Sequence, residues 1–156
     1  MAWWNKPAAG QTPKVTVDRI AAWFDKNDLN YDRHESGEAI ISGFGEYGYV
    51  VAIPETTMLQ VHARFYTNLA VDDASRAQLR ELLGEFNTSQ VMPTLSTFVD
   101  EDGAQVSADV VASITEGLND EQLDDLLDTA AHVVLRTFEE IGEALGIEPA
   151  SDEDDE

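Results

Sequence analysis

The 156-residue sequence predicts an α+β fold, a single domain in which an antiparallel sheet packs with helices. Three observations carry this. Residues 58–67 alternate with period two: Leu59, Val61, Ala63 and Phe65 point one way, Gln60, His62, Arg64 and Tyr66 the other. Such alternation marks an antiparallel sheet covered on one side. Runs with strand character are joined by short turns and interrupted by helical runs. From Asn119 onward, one apolar face persists for roughly six helical turns.

The elements follow in order. Thr16 is a predicted N-cap, and Val17, Ile20, Ala21 and Phe24 recur at helical spacing over residues 17–26. Residues 31–35 give only a weak strand signal. Residues 38–44 follow the Ser36-Gly37 turn, and residues 49–53 form a strand that Pro54 stops. The alternating strand 58–67 comes next. Asp73 caps a second helix to about Phe86, with the stripe Leu79, Leu82, Leu83 and Phe86. After a connector at 87–93, residues 94–99 and 104–114 form a hairpin turned by Glu101-Asp102-Gly103. Asn119 and Gln122 make a capping box. The last helix then keeps Leu123, Leu126, Leu127, Ala130, Val134, Phe138, Ile141 and Leu145 on one face. Glu139, Glu140 and Glu143 oppose its macrodipole, so its C-terminal end should fray. The order is α-β-β-β-α-β-β-α. Residues 1–14 read as an irregular arm, 15–147 as the domain, and 148–156, with six acids in nine residues, as a disordered acidic tail.

Charge is the loudest feature of the composition. Nine Lys and Arg face 31 Asp and Glu, a net −22. Residues 1–80 hold eight bases and ten acids; residues 81–156 hold one base, Arg136, and 21 acids. Such a field repels nucleic acid and anionic membranes. It suits a solvated acidic surface, or a basic partner. No cysteine is present, which removes disulfides, thiolate metal sites and cysteine nucleophiles. No apolar run approaches a membrane span and no secretory signal is visible, so a cytoplasmic protein is expected.

One motif demands a trial. Gly43-Phe44-Gly45-Glu46-Tyr47-Gly48-Tyr49-Val50 matches the glycine-rich phosphate loop of kinases, G-x-G-x-x-G-x-V. Pro54 stands where the phosphate-pairing lysine would be, no H-R-D or D-F-G follows, and Glu46 would face the phosphates. A dinucleotide site would need a helix after the glycines, and a strand follows. The segment reads as a glycine-rich hairpin. Two calcium readings also fail. The loop around Gly103 puts Phe98 at the first ligand position, and the one starting at Asp25 puts Leu29 at the fifth. The histidines His34, His62 and His132 have no metal-ligand spacing, and no nucleophile elbow appears. No catalytic residue, cofactor or metal is assigned.

The aromatics point to contact instead. Trp23 lies one position off the Ile20–Phe24 stripe, at the expected edge of the first helix's buried face. Trp3 and Trp4 lie in the arm. Tryptophan near a surface marks contact sites, so Trp23, with Trp3 and Trp4, is the expected partner site.

Several segments, taken in order, resemble the YbjN family of bacterial proteins, described as sensory transduction regulator-like. Leu82-Leu83-Gly84-Glu85-Phe86-Asn87 is similar to the family's helix ending in asparagine, with Glu85-Phe86 where the family commonly shows Asn and Trp. Pro93 and then Phe98-Val99-Asp100-Glu101-Asp102-Gly103 resemble its strand and D-G hairpin, and Glu116 to Leu123 its G-x-x-x-x-Q-L entry to the last helix. The resemblance covers about residues 15–145. It implies a fold similar to the type III secretion chaperones, small acidic proteins that are typically homodimers, hold an extended segment of a partner and have no active site or cofactor. It implies no catalytic residues. If that likeness holds, Leu79, Leu82, Leu83 and Phe86 meet a symmetry mate in a homodimer.

The resulting expectation is a non-enzymatic protein-binding module, chaperone-like or regulatory, for another protein with a basic or extended segment. The alternative is a small-molecule binder or enzyme with a site on the sheet face around His62, Arg64 and Tyr66.

Overall fold

The structure, a computed structural model, describes residues 12–147. Trp3, Trp4 and the acidic tail at 148–156 lie outside the described residues. The elements are α1 (Val17–Lys26), β1 (Asp32–Arg33), β2 (Ala39–Phe44), β3 (Tyr47–Glu55), β4 (Met58–Leu69), α2 (Asp73–Ser89), β5 (Thr94–Asp100), β6 (Gly103–Ser113) and α3 (Asp120–Leu145). This is the predicted α+β order, with the weak strand signal at 31–35 realised as the two-residue edge strand β1. The six strands form one antiparallel sheet in the order β1-β2-β3-β4-β6-β5.

Local chemistry sets most boundaries. Thr16 accepts from the Arg19 N–H and starts α1. Asn119 and Gln122 exchange side-chain and backbone bonds of 2.8 and 2.9 Å, the predicted capping box. Gly146, with φ 70°, closes α3 in the left-handed region, so the helix is whole to Leu145 despite its three unfavourable glutamates. Gly45, with φ 58°, opens the two-residue turn between Phe44 and Tyr47, where a primed hairpin turn needs glycine.

Several boundaries differ from expectation: β3 begins at Tyr47 rather than Tyr49, β4 runs on to Leu69 and α2 to Ser89, and two further differences have a local cause. Asp72, not Asp73, caps α2, because its carboxylate accepts from the Ser75 N–H at 2.7 Å. That bond holds the Asp72 carboxyl below the usual carboxylate range. Pro54 does not stop β3, which runs on to Glu55. The pairing with β4 shifts between Ala52 and Glu55, so the proline sits where the ladder is already interrupted.

All three helices pack on the sheet face that carries Leu59, Val61, Ala63 and Phe65, each at most 3% exposed. α1 lies on β2 and β3, α3 on β4 and β6, and α2 on β5, where Leu79 and Leu83 share one core with Leu95. Tyr47, Phe65 and Phe138 stack at centroid distances of 5.1 to 5.6 Å and seat α3 on β3 and β4. Residues 12–14 have no regular structure but are held: the Arg19 guanidinium donates to Pro13 O, Lys14 O, Leu118 O and Asp120.

Trp23 is the main correction. It is 5% exposed, not at an open edge. α3 closes over that flank of α1, and the indole N–H donates to Asp128 at 2.8 Å. Its ring meets Phe24 edge-on at 5.0 Å. One helix's periodicity cannot show that a second helix covers its flank. The same contact uses Asp120 and Asp124 against Arg19 and Lys26, so part of the acidic stripe on α3 is structural.

Three outcomes are expected. Trp23→Ala removes a buried ring and leaves Asp128 without its donor; chemical denaturation should show a loss of about 3–5 kcal/mol. Tyr49, 1% exposed, has a buried hydroxyl with no partner among the described residues, and burial pushes its pKa up. Tyr49→Phe should therefore stabilise by about 1 kcal/mol, since an unsatisfied buried donor is removed; a clear loss would mean the hydroxyl is bonded. Third, four Lys or Arg ion pairs among the described residues answer a net charge of −22. Raising salt from low to moderate should lift the melting temperature by screening the remaining repulsion.

Candidate functional site

The second face of the sheet carries no helix among the described residues, and its side chains follow from the register. One row across it is Ile41, Val50, His62, Asp109 and Thr94. The next is Gly43, Gly48, Arg64, Ser107 and Ser96. Beyond it lie Tyr66, Gln105 and Phe98, and on the other side Ala39, Ala52, Gln60 and Val111. Ile41, Tyr66 and Val111 are 40, 37 and 53% exposed. Isolated apolar side chains on a surface are ordinary, but here they share one uncovered face.

A polar chain crosses the middle. Asp109 accepts from the Gln60 amide at 2.9 Å and bonds His62 Nδ1 at 2.8 Å. Arg64 Nε donates to His62 Nε2 at 3.3 Å. Both ring nitrogens of His62 therefore have partners, Nδ1 toward Asp109 and Nε2 toward Arg64. The Arg64 guanidinium lies 5.1 Å from the centre of the Phe98 ring. Arg64 and Phe98 belong to β4 and β5, which flank β6, so their contact bridges over Ser107 and Gln105, both buried.

Gln105 also mends the sheet. Two extra residues, Thr67 and Asn68, stand in β4 between the pairs Tyr66–Gln105 and Leu69–Ala104. Gln105 Oε1 accepts from the Thr67 N–H, its amide donates to Asp100, and the Thr67 hydroxyl donates to Ala104 O. These bonds give partners to the Thr67 N–H, the Thr67 hydroxyl and the Gln105 amide where the ladder is interrupted.

The structure thus joins His62 and Arg64 but adds Asp109, Gln60 and Phe98, which sequence reasoning missed. Tyr66 lies on the same face, one register step on. Both nitrogens of His62 are engaged, and Ser96 and Ser107 bond each other at 2.6 Å. No ring nitrogen is left to act as a base toward either serine. Among the described residues no group of three or more His, Cys, Asp or Glu converges as metal ligands. No helix among them is long and apolar enough to cross a membrane. A signal for Asp109 existed: it is the lone carboxylate between Ala108 and Val110 in an apolar alternating strand. Its partner 47 positions earlier was not readable.

The remaining expected contact residues divide. Trp23 is buried; Trp3 and Trp4 lie outside the described residues. Leu79 and Leu83 are consumed by the chain's own core, so α2 offers a symmetry mate only the half-buried Leu82 and Phe86.

Comparison with known proteins bears on this fold. The family model YbjN, "Putative bacterial sensory transduction regulator", matches residues 16–143. A crystal structure of YbjN from E. coli, "a putative transcription regulator", superposes with a TM-score of 0.67 at 13% identity, covering 86% of this chain and 96% of that one. At that identity the likeness concerns the fold alone. An uncharacterized protein from Methanothermobacter thermautotrophicus gives a TM-score of 0.48 at 13% identity, over 83% of this chain and 99% of that one. No curated protein matches the chain.

Proposed function

The chain belongs to the YbjN family, and we propose that it is a non-enzymatic protein-binding module, regulatory or chaperone-like, that docks a partner on the uncovered sheet face. The observation that carries this is the one-sided sheet. Ile41, Tyr66 and Val111 stand exposed around the Arg64–Phe98 bridge, on a surface where Gln60, His62 and Asp109, and Ser96 with Ser107, are bonded to one another. Mutually bonded polar groups lose little on burial, while the apolar groups gain about 25 cal/mol per Å² covered. The partner expected is a protein with a basic or extended segment, because the net charge of −22 attracts bases and speeds their approach.

The reading in terms of a small molecule or catalysis at His62, Arg64 and Tyr66 has less behind it. The histidine nitrogens are engaged, and the face is an open sheet surface, whereas small ligands favour concave sites.

The test is a paired capture from the native cell with the wild type and with Val111→Lys and Tyr66→Ala. Val111 and Tyr66 are 53 and 37% exposed, so both variants should stay folded, with Tyr66→Ala costing about 1 kcal/mol in lost strand packing. The reading expects a polypeptide held by the wild type to be lost by the variants, and its association to slow as salt rises. Unchanged capture by both folded variants removes the sheet face as the docking surface.

A further inference from the structure

β5 is an edge strand, and its outer side is only partly occupied. The Leu95 N–H donates to Asn87 Oδ1 at 2.8 Å, and the Asn87 amide donates to Leu95 O at 2.9 Å. A side chain from the end of α2 thus does for Leu95 what a neighbouring strand would do. It also fixes the phase of the ladder. Leu95 turns its backbone groups away from β6, so Thr97 and Val99, two and four residues on, do the same. Among the described residues no loop or cap bond reaches the backbone of Thr97 or Val99, and the Asn87 contact stops at Leu95.

Proteins usually blunt such edges with lysine, proline, a bulge or a short strand. The other edge obeys: β1 has two residues. β5 has seven, contains no lysine or proline, and pairs with β6 without a register shift. Val99 is 45% exposed on it, and Val91 and Met92, just before it, are 94 and 41% exposed. The chain at this edge is rich in acids, although Arg64 lies over Phe98 on the sheet face. Residues 81–135 contain no Lys or Arg, and Asp100, Glu101 and Asp102 follow the open positions directly.

We propose that β5 accepts an added strand from a partner protein, an extended segment rich in Lys or Arg that pairs with the free backbone groups of Thr97 and Val99. The inference rests on the protein-binding reading but uses the sheet edge rather than its face. Charge selects the occupant. A second copy would bring another −22, whereas a basic strand meets acids at the open end of β5. Asn87 sets where pairing starts, since the added strand begins beyond Leu95 or displaces the amide. Main-chain bonds then supply affinity, and the exposed Val99 offers an apolar contact on alternate residues.

The test uses the full chain and a synthetic peptide of alternating lysine and valine, long enough to span β5. A glutamate–valine peptide and a lysine–valine peptide N-methylated on alternate residues serve as controls. Hydrogen exchange of the Thr97 and Val99 amides is followed by NMR. The lysine peptide should slow both amides by about tenfold or more, and neither control should. Thr97→Pro should weaken peptide binding about tenfold while the protein stays folded, because the lost N–H faces away from β6. The N-methylated peptide gives the same answer on the unaltered protein. Equal binding of the N-methylated peptide overturns the proposal. So does a self-associated protein whose Thr97 and Val99 amides are protected before any peptide is added. If the lysine peptide binds but leaves these amides unchanged, and Val111→Lys abolishes its binding, the edge assignment fails and the face reading stands. If no peptide binds and capture by the face variants is unchanged, both fail.

Discussion

The alternation of β4 is the constraint on which the rest depends. β4 pairs with β3 on one side and β6 on the other, so it joins the β1–β3 meander to the β5–β6 hairpin. Leu59, Val61, Ala63 and Phe65 commit one face of that joined sheet to the core. A slip of one residue would turn Gln60, His62, Arg64 and Tyr66 inward instead, burying a guanidinium and an imidazole with nothing opposite them. One committed face then draws α1, α2 and α3 to itself and leaves the other without a helix among the described residues. The candidate docking surface is therefore a consequence of how the core is closed, not a separate device.

Burial rather than charge holds the helices there. Ile20, Phe24, Leu127, Val134, Phe138 and Ile141 are all fully buried, and each side chain of this kind contributes about 1.5–3 kcal/mol on leaving water. The ion pairs between α1 and α3 have at least one well-exposed partner each and contribute about 0–1 kcal/mol apiece. Their role is orientation. Arg19 ties the segment before α1 to the start of α3, and Trp23 spends its only donor on Asp128. With so many acids and so few bases, most carboxylates are left to the solvent and to whatever approaches it.

The two sheet edges are finished by different means, and the difference is informative. β1 is too short to template another strand, while β5 is long and relies on one asparagine side chain to cover one residue. Asn87 closes the segment that resembles the family's helix-ending motif. Its place in the structure supplies a physical reason for a polar amide at that point, because an apolar residue there would leave both backbone groups of Leu95 open. The glycine-rich stretch that imitates a phosphate loop has an equally local explanation. Gly45 makes the turn, and Gly43 and Gly48 face each other beside Arg64 on the uncovered surface.

Much was legible in the residues alone because it is governed by near neighbours. The Asn119 capping box, the Thr16 cap, the turn at Gly45 and the two faces of β4 each depend on residues within a few positions, and the structure has them where the pattern puts them. The family resemblance was legible for a related reason, since ordered local motifs carry it and the family match spans residues 16–143. Trp23 was misread because its surroundings come from α3, more than a hundred positions away, and a helical stripe describes only the helix that bears it. Asp109, Phe98 and Gln105 were missed for the same cause: each acquires its meaning from a partner on another strand. The sequence by itself determined which segments are helix and strand and which strand face is apolar. Only the tertiary structure decided that β4 pairs with β6, that every helix takes the same side, and that β5 ends the sheet, because those outcomes depend on contacts between residues the chain keeps far apart.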